Sequence, residues 1–352
     1  MFRETGSGLL SRLNDPQRAL EATPQLAALW TTLVPAEVRD LLKKREPKRL
    51  FVVPDGVLGL LPFEALVVAA GSEPQYLLDV GPAIAYGPSA TVLQNLSQRS
   101  AEPPPNTVDP VLSVADPIYP ESENTLLASR SGDSRIDQSP ASRYGSLGGR
   151  LTRLPYSGKE SGWVKEVFES KGIRVTQLIR QQATESSFRF HAAQRRILHL
   201  ACHGLADQQY GNLFGSLALT PGSRAADDPT DDGFLTLAEI YTLDLRRCEL
   251  AILSACQTND GPQQRGEGVW SLARGFLAAG AKRTVASNWL VDDEAAANLI
   301  SYYTGGLANA EAKSPTTADH AHTLHAAKKW VRDQDKWKSP YYWAPFVLVG
   351  PN

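Results

Sequence analysis

The chain of 352 residues carries 36 Lys and Arg against 38 Asp and Glu, a net charge of -2, with 42% hydrophobic and 21% charged residues. That length suits one large or two modest domains with enough chain to bury a core unaided, and the composition excludes a fibre, a coiled coil or wholesale disorder. So balanced a charge gives no reason to expect nucleic acid or an acidic membrane surface as a partner through bulk electrostatics.

Residues 17–45 predict one or two helices, because Leu20, Leu26, Leu29 and Leu33, then Val38, Leu41 and Leu42, recur at helical spacing and Pro35 stands where a helix can start. Short apolar runs follow at Leu50 to Val53, Leu58 to Leu61, Ala83 to Tyr86 and Val111 to Ala115, punctuated by Pro and Gly as strands with tight turns are. Residues 116–150, rich in Ser, Gly, Asp and Arg, read as a long surface loop that divides the chain into halves. Beyond it the pattern alternates. Trp163, Val164, Val167 and Phe168 stripe a helix that ends near Gly172, and strands are expected at 173–179, 197–201, 216–220, 250–255, 283–289 and 346–349. Helices are expected from Thr184, over 235–241 and 269–279, and from Asp292 and His320. Strands alternating with helices predict an α/β sandwich around a mainly parallel sheet.

The three cysteines, Cys202, Cys248 and Cys256, form neither a paired disulfide set nor a C-x-x-C spacing, which fits a reducing, cytoplasmic setting. Met1 to Pro16 lacks the apolar stretch of a secretory signal, so export by that route is not expected. Leu50 to Ala70 is interrupted by Pro54, Asp55, Gly59, Pro62 and Glu64 and falls far short of the roughly 20 apolar residues of a spanning helix. No membrane partner is expected. P-loop, zincin and serine-hydrolase motifs are absent from the sequence.

Two strand ends carry chemistry. The run from Arg196 to Gly204 stops at His203, and the run from Leu250 to Thr258 stops at Cys256; if these strands are neighbours, an imidazole and a thiol emerge at one carboxyl edge. A thiol with an ordinary pKa near 8.5 needs a base to take its proton, and His203 is the natural one. The N–H groups of Gly204 and Cys256 suit an oxyanion hole. A buried structural Cys and a hydrogen-bonded His would give the same spacing, and both readings stand on the residues alone. Cys202 is expected to face away from His203, Cys248 to precede a strand, His199 to sit in the core, and His320, His322 and His325 to lie on a solvated helix.

The stretches ILHLACHG (197–204), GFLTLAEIY (233–241), LSACQT (253–258), GEGVWSLARGFLAAGA (266–281), ASNWLVDDE (286–294) and YYWAPFVLVG (341–350) together resemble the CHAT domain, a caspase-like module. Upstream, VPDG (53–56), LPFEAL (61–66), GPSAT (87–91) and LPY (154–156) resemble the first half of that family. The resemblance implies a helical arm over 1–47, a related or degenerate first half over 48–150, a caspase-like protease half over 151–352, and a three-layer sandwich. It places His203 and Cys256 at the dyad, 53 residues apart, near the separation of caspases. Gly204 and the Cys256 amide take the oxyanion hole.

Ser254 and Thr258 stand where the caspase motif has Gln and Gly, so strict Asp specificity is not implied. By similarity to caspase-like proteases that cut after Arg or Lys, such as separase, Asp292 or Asp293 is expected in the substrate pocket, with Ser287 and Trp289 walling the groove. Helix capping explains the same acids equally well. Glu267 is expected to cap the helix after it, and Asp227, Asp228, Asp231 and Asp232 to form an acidic loop. The implied activity is that of a cysteine endopeptidase in bacterial defence or regulated cell death, needing no cofactor and no metal. Its implied partners are a protein substrate, for example a gasdermin or a protein encoded nearby, and a sensor or repeat-protein activator. The rival is a catalytically silent interaction scaffold.

Overall fold

Largely apolar runs mark strands covered on both faces; six such strands, buried along their whole length, meet in one sheet with two part-exposed strands at its edges. The eight strands are Arg49–Val52 (β1), Ala83–Tyr86 (β2), Val111–Pro117 (β3), Val175–Arg180 (β4), Ile197–Ala201 (β5), Leu250–Ser254 (β6), Thr284–Ser287 (β7) and Phe346–Val349 (β8). Their order is β1-β2-β8-β7-β6-β5-β3-β4. Every neighbouring pair is parallel except β7 with β8, so the sheet is mainly parallel, as the alternating pattern predicts. The computed structural model describes residues 8–71, 73–99, 105, 107–119, 151–208, 210–222, 231–264, 268–313 and 318–352.

The longer helices are Thr23–Leu33 (α1), Ala36–Arg45 (α2), Ala90–Gln98 (α3), Pro155–Glu169 (α4), Glu185–Ala192 (α5), Leu272–Ala279 (α6), Asp293–Lys313 (α7) and His320–Arg332 (α8). Alternate strand residues enter two cores, as a period of two requires. Ile197, Leu250, Ile252 and Val285 pack with Val164 and Phe168 of α4, Leu299 and Ile300 of α7 and Leu324 of α8. Leu198, Ala251, Leu253 and Ala286 pack on the opposite face with Phe188 of α5 and Phe276 of α6. Each large side chain so buried contributes roughly 1.5–3 kcal/mol. The result is the three-layer sandwich.

Several local expectations shift. Leu58 to Leu61 is no strand, since Gly56–Leu60 winds into a 3-10 turn. The strand expected at 216–220 shortens to Ser216–Ala218, which joins His203–Leu205 and Phe234–Thr236 in a small antiparallel sheet. Phe234–Thr236 takes the start of the helix expected from 235, leaving Leu237–Ile240 helical. The expected loop at 116–150 begins later: Asp116 and Pro117 complete β3, and 120–150 lie outside the described residues, as do Asp227, Asp228 and Glu267. The division near residue 150 is a division of the chain and not of the sheet, because β3 lies between β4 and β5.

Candidate active site

β5 and β6 run in register, Ala201 beside Ser254. His203 and Cys256, each two residues further on, therefore leave the sheet at the same carboxyl edge. Gly204 presses against the Cys256 backbone too closely for any side chain, and the Cys256 N–H has no hydrogen-bond partner among the described residues. After Cys256 the chain turns sharply through Gln257, whose φ of 53° is left-handed and costs a non-glycine residue roughly 1–2 kcal/mol.

The turn is secured from inside. Asn259 N–H donates to Ser287 O at 2.8 Å, Ser287 N–H to Thr258 Oγ1 at 2.9 Å and Ser287 Oγ to Ala255 O at 2.5 Å. Trp289 accepts from Gln257 N–H on its carbonyl and donates its ring N–H to Tyr341 O at 3.2 Å. Ser287 and Trp289, expected to wall a groove, are thus buried: the structure uses them to hold the turn that follows Cys256. Thr258 is buried too, and Ser254 faces inward to Glu160.

His203 donates from Nε2 to Thr152 O at 2.7 Å, because a carbonyl can only accept. That leaves Nδ1 as the acceptor. The His203 N–H donates to the Tyr119 hydroxyl at 3.2 Å, and the two rings lie 5.1 Å apart. Thr152 is held in turn by its neighbour Arg153, which grips Asp116 at the end of β3 with two bonds of 2.9 and 2.8 Å. Tyr119 and Thr152 escaped the sequence reading. Only the rule that functional groups gather at carboxyl edges, applied to β3, points towards Tyr119.

Burial lowers the His203 pKa, with the Thr152 carbonyl opposing it. Burial pushes the Cys256 thiol up, the Val291 N–H pulls it down and the charge of Asp293 pushes it up again. Both shifts favour the uncharged forms, a neutral imidazole at His203 and a thiol at Cys256. Cys202 and Cys248 are buried; burial drives the Cys202 thiol far up and the Cys248 thiol to about 12.

Asp292 caps α7 by accepting the Ala295 N–H at 2.8 Å, and Asp293 accepts the Tyr156 N–H at the start of α4 at 2.9 Å. Each spends one oxygen on a helix N-terminus. Both lie in the electrostatic neighbourhood of Cys256, since the charge of Asp293 acts on the Cys256 thiol and Asp292 and Cys256 both act on Tyr341. The histidine cluster differs from expectation. His320 is buried, with Arg283 Nη1 3.0 Å from its Nε2 and the Tyr303 hydroxyl 3.2 Å from its Nδ1, because α8 packs that face against the sheet. Among the described residues no group of three or more His, Cys, Asp or Glu could hold a metal ion, and no helix is long and apolar enough to cross a membrane.

Residues 23–351 match the family model described as the CHAT domain. Tetratricopeptide repeat protein 28 of Homo sapiens and of Mus musculus are each 25% identical to the chain, over 361 and 362 residues; the match covers 94% of this chain and 13% of theirs. The chain thus spans about 13% of the length of these curated relatives. Among solved structures, the Arg-specific cysteine proteinase gingipain R superposes with a TM-score of 0.55 at 9% identity, over 92% of this chain and 69% of that one. The complex of RgpB pro- and mature domains from Porphyromonas gingivalis gives 0.51 at 10% identity, over 92% and 71%. At such identities the likeness is one of fold.

Proposed function

This chain belongs to the CHAT domain family, and on that premise we propose that it is a cysteine endopeptidase acting through His203 and Cys256. The observation that carries the reading is the convergence of these two residues beyond the register-paired ends of β5 and β6, with His203 fixed in one tautomer by Thr152. His203 Nδ1 takes the thiol proton as sulfur attacks the scissile carbonyl carbon. The oxyanion is received by the N–H groups of Gly204 and Cys256. As the tetrahedral intermediate collapses, the C–N bond breaks and His203 returns its proton to the leaving amine. Water, deprotonated by the same imidazole, then hydrolyses the thioester and restores the thiol.

The substrate in this reading is a protein cut after a basic residue, with the second oxygens of Asp292 and Asp293 as the anionic lining of the pocket. The cysteine-proteinase fold of an Arg-specific neighbour supports that choice. A gasdermin or a protein encoded nearby is the target class to try first, in a cytoplasmic defence or cell-death role, with a sensor or repeat protein as activator.

The test is cleavage of such candidates by the wild-type chain and by Cys256→Ala, with the new termini mapped by mass spectrometry. The reading expects cuts after Arg or Lys that vanish in a folded Cys256→Ala chain. If the variant keeps full biological output, the chain is an interaction scaffold instead.

A further inference from the structure

Helix α4 carries one charged residue into the interior. Glu160 is 2% exposed and lies one turn before Val164 and two before Phe168, on the helix's buried stripe. Its Oε1 is 2.6 Å from His199 Nε2 and its Oε2 accepts from Ser254 Oγ at 3.0 Å. His199 Nδ1 lies 2.8 Å from Ser113 Oγ, which lies 2.7 Å from Ser161 Oγ, and Gln177 Nε2 donates to Ser161 Oγ at 2.8 Å. A continuous chain of hydrogen bonds thus links Gln177 through Ser161, Ser113 and His199 to the Glu160 carboxyl. Ser113, His199 and Glu160 stand in the order of a nucleophile, base and acid, but all three are buried. Closed to substrate, the set serves as structure within the sheet.

What it supports is the dyad. The residues just ahead of α4 bring Thr152 O to His203, the first turn of α4 brings the Tyr156 N–H to Asp293, and the next turn brings Glu160 to Ser254. Ser254, the last residue of β6, precedes Cys256 by two positions. The helix and the residues just ahead of it thus reach both the acceptor of the imidazole, at Thr152 O, and the strand that leads to the thiol, at Ser254. We propose that Glu160 is a positioning residue of this site, fixing through α4 the reach between the His203 imidazole and the Cys256 sulfur. The inference rests on the dyad reading given above.

The test follows alkylation of Cys256 by iodoacetamide at neutral pH, located by mass spectrometry, so no physiological substrate is needed. Glu160→Ala is expected to slow it about tenfold, since small misplacements of reacting groups are costly. Glu160→Gln, whose amide can accept from His199 and donate to Ser254, should stay within about threefold of wild type. Ser254→Ala, which removes one bond and keeps the fold's apolar packing, should lie between them and serves if Glu160→Ala does not fold.

The decisive comparison adds His203→Ala. With the imidazole gone, Glu160→Ala and Ser254→Ala should change the rate less than about twofold. An equal loss with and without His203, or no loss with it, overturns the proposal. A wild-type rate indifferent to His203→Ala defeats the dyad itself, and the positioning role with it. A rate that depends on His203 but not on Glu160 or Ser254 defeats the positioning role alone.

Discussion

A Cβ built on Gly204 would lie 2.1 Å from the carbonyl oxygen of Cys256. The approach is possible only with hydrogen in that place, and it sets the Gly204 backbone against that of Cys256, as the proposed oxyanion hole requires. Gly204→Ala is expected to push the strand after β5 away from the Cys256 turn. Thiol reactivity and substrate cleavage should fall about a hundredfold, with a stability loss of about 1–3 kcal/mol from overpacking. Stopped-flow alkylation and thermal unfolding measure the two effects. A variant with wild-type rates would remove the need for this contact.

The second expectation concerns pH. Burial raises the thiol and lowers the imidazole, so the pair does not carry a ready-made thiolate into acid. The alkylation rate of Cys256 should climb from neutral to alkaline pH without a plateau below pH 6 or so, the ordinary range of imidazole titration. Asp293→Asn removes a negative charge that holds the thiol up, while its amide oxygen can still accept the Tyr156 N–H. The profile should move to lower pH, with a few-fold faster reaction at pH 7. A profile shifted the other way would contradict this electrostatic assignment.

A third expectation concerns stability. Glu185 is fully buried, accepts the Gly233 N–H at 2.7 Å and meets Arg189 at 3.2 Å. Burial, with the nearby charge of Glu239, raises its pKa to about 7. A carboxyl group raised on folding stabilises the fold in its protonated form. That stability is fully present below the unfolded value near 4.5 and is lost as pH rises through about 7. Glu185→Gln escapes this loss. Its unfolding temperature should gain on wild type as pH increases from 5 to 8, by the equivalent of about 2–3 kcal/mol. A constant difference across that range would refute the linkage.

The fourth lies on the far side of the sheet. Lys328 Nζ meets Glu64 Oε1 at 2.5 Å, and Tyr86 donates its hydroxyl to the other Glu64 oxygen at 2.6 Å, all of them buried. Removing one charge leaves the other stranded. Lys328→Met should lower the unfolding free energy by about 3–5 kcal/mol, and adding Glu64→Gln should restore much of it. Equilibrium denaturation of the single and double variants decides the matter. Additive losses would show that the two side chains do not act as a pair.

Much of this fold is legible in the sequence because its central strands are largely apolar runs and several helices begin on visible caps, such as Ser89 before α3 and Thr184 before α5. The positions of His203 and Cys256 follow from the same strand pattern. Their support does not, because it comes from residues far away in the chain: Thr152 lies 51 positions before His203 and Glu160 lies 39 before His199. One signal was available. Glu160 continues the spacing of Val164 and Phe168, and a charged residue on a buried stripe demands a partner. His320 misleads for the opposite reason, since its polar neighbours in sequence face solvent while its own ring turns to Arg283 and Tyr303.

The placement of β3 between β4 and β5 has a practical corollary. An expression product starting at residue 151 would lack an interior plank of the sheet, leaving rows of peptide groups on β4 and β5 with nothing to bind. A nick between residues 119 and 151 would leave two fragments interlocked through that plank, so they should travel together on a sizing column and come apart only under denaturant.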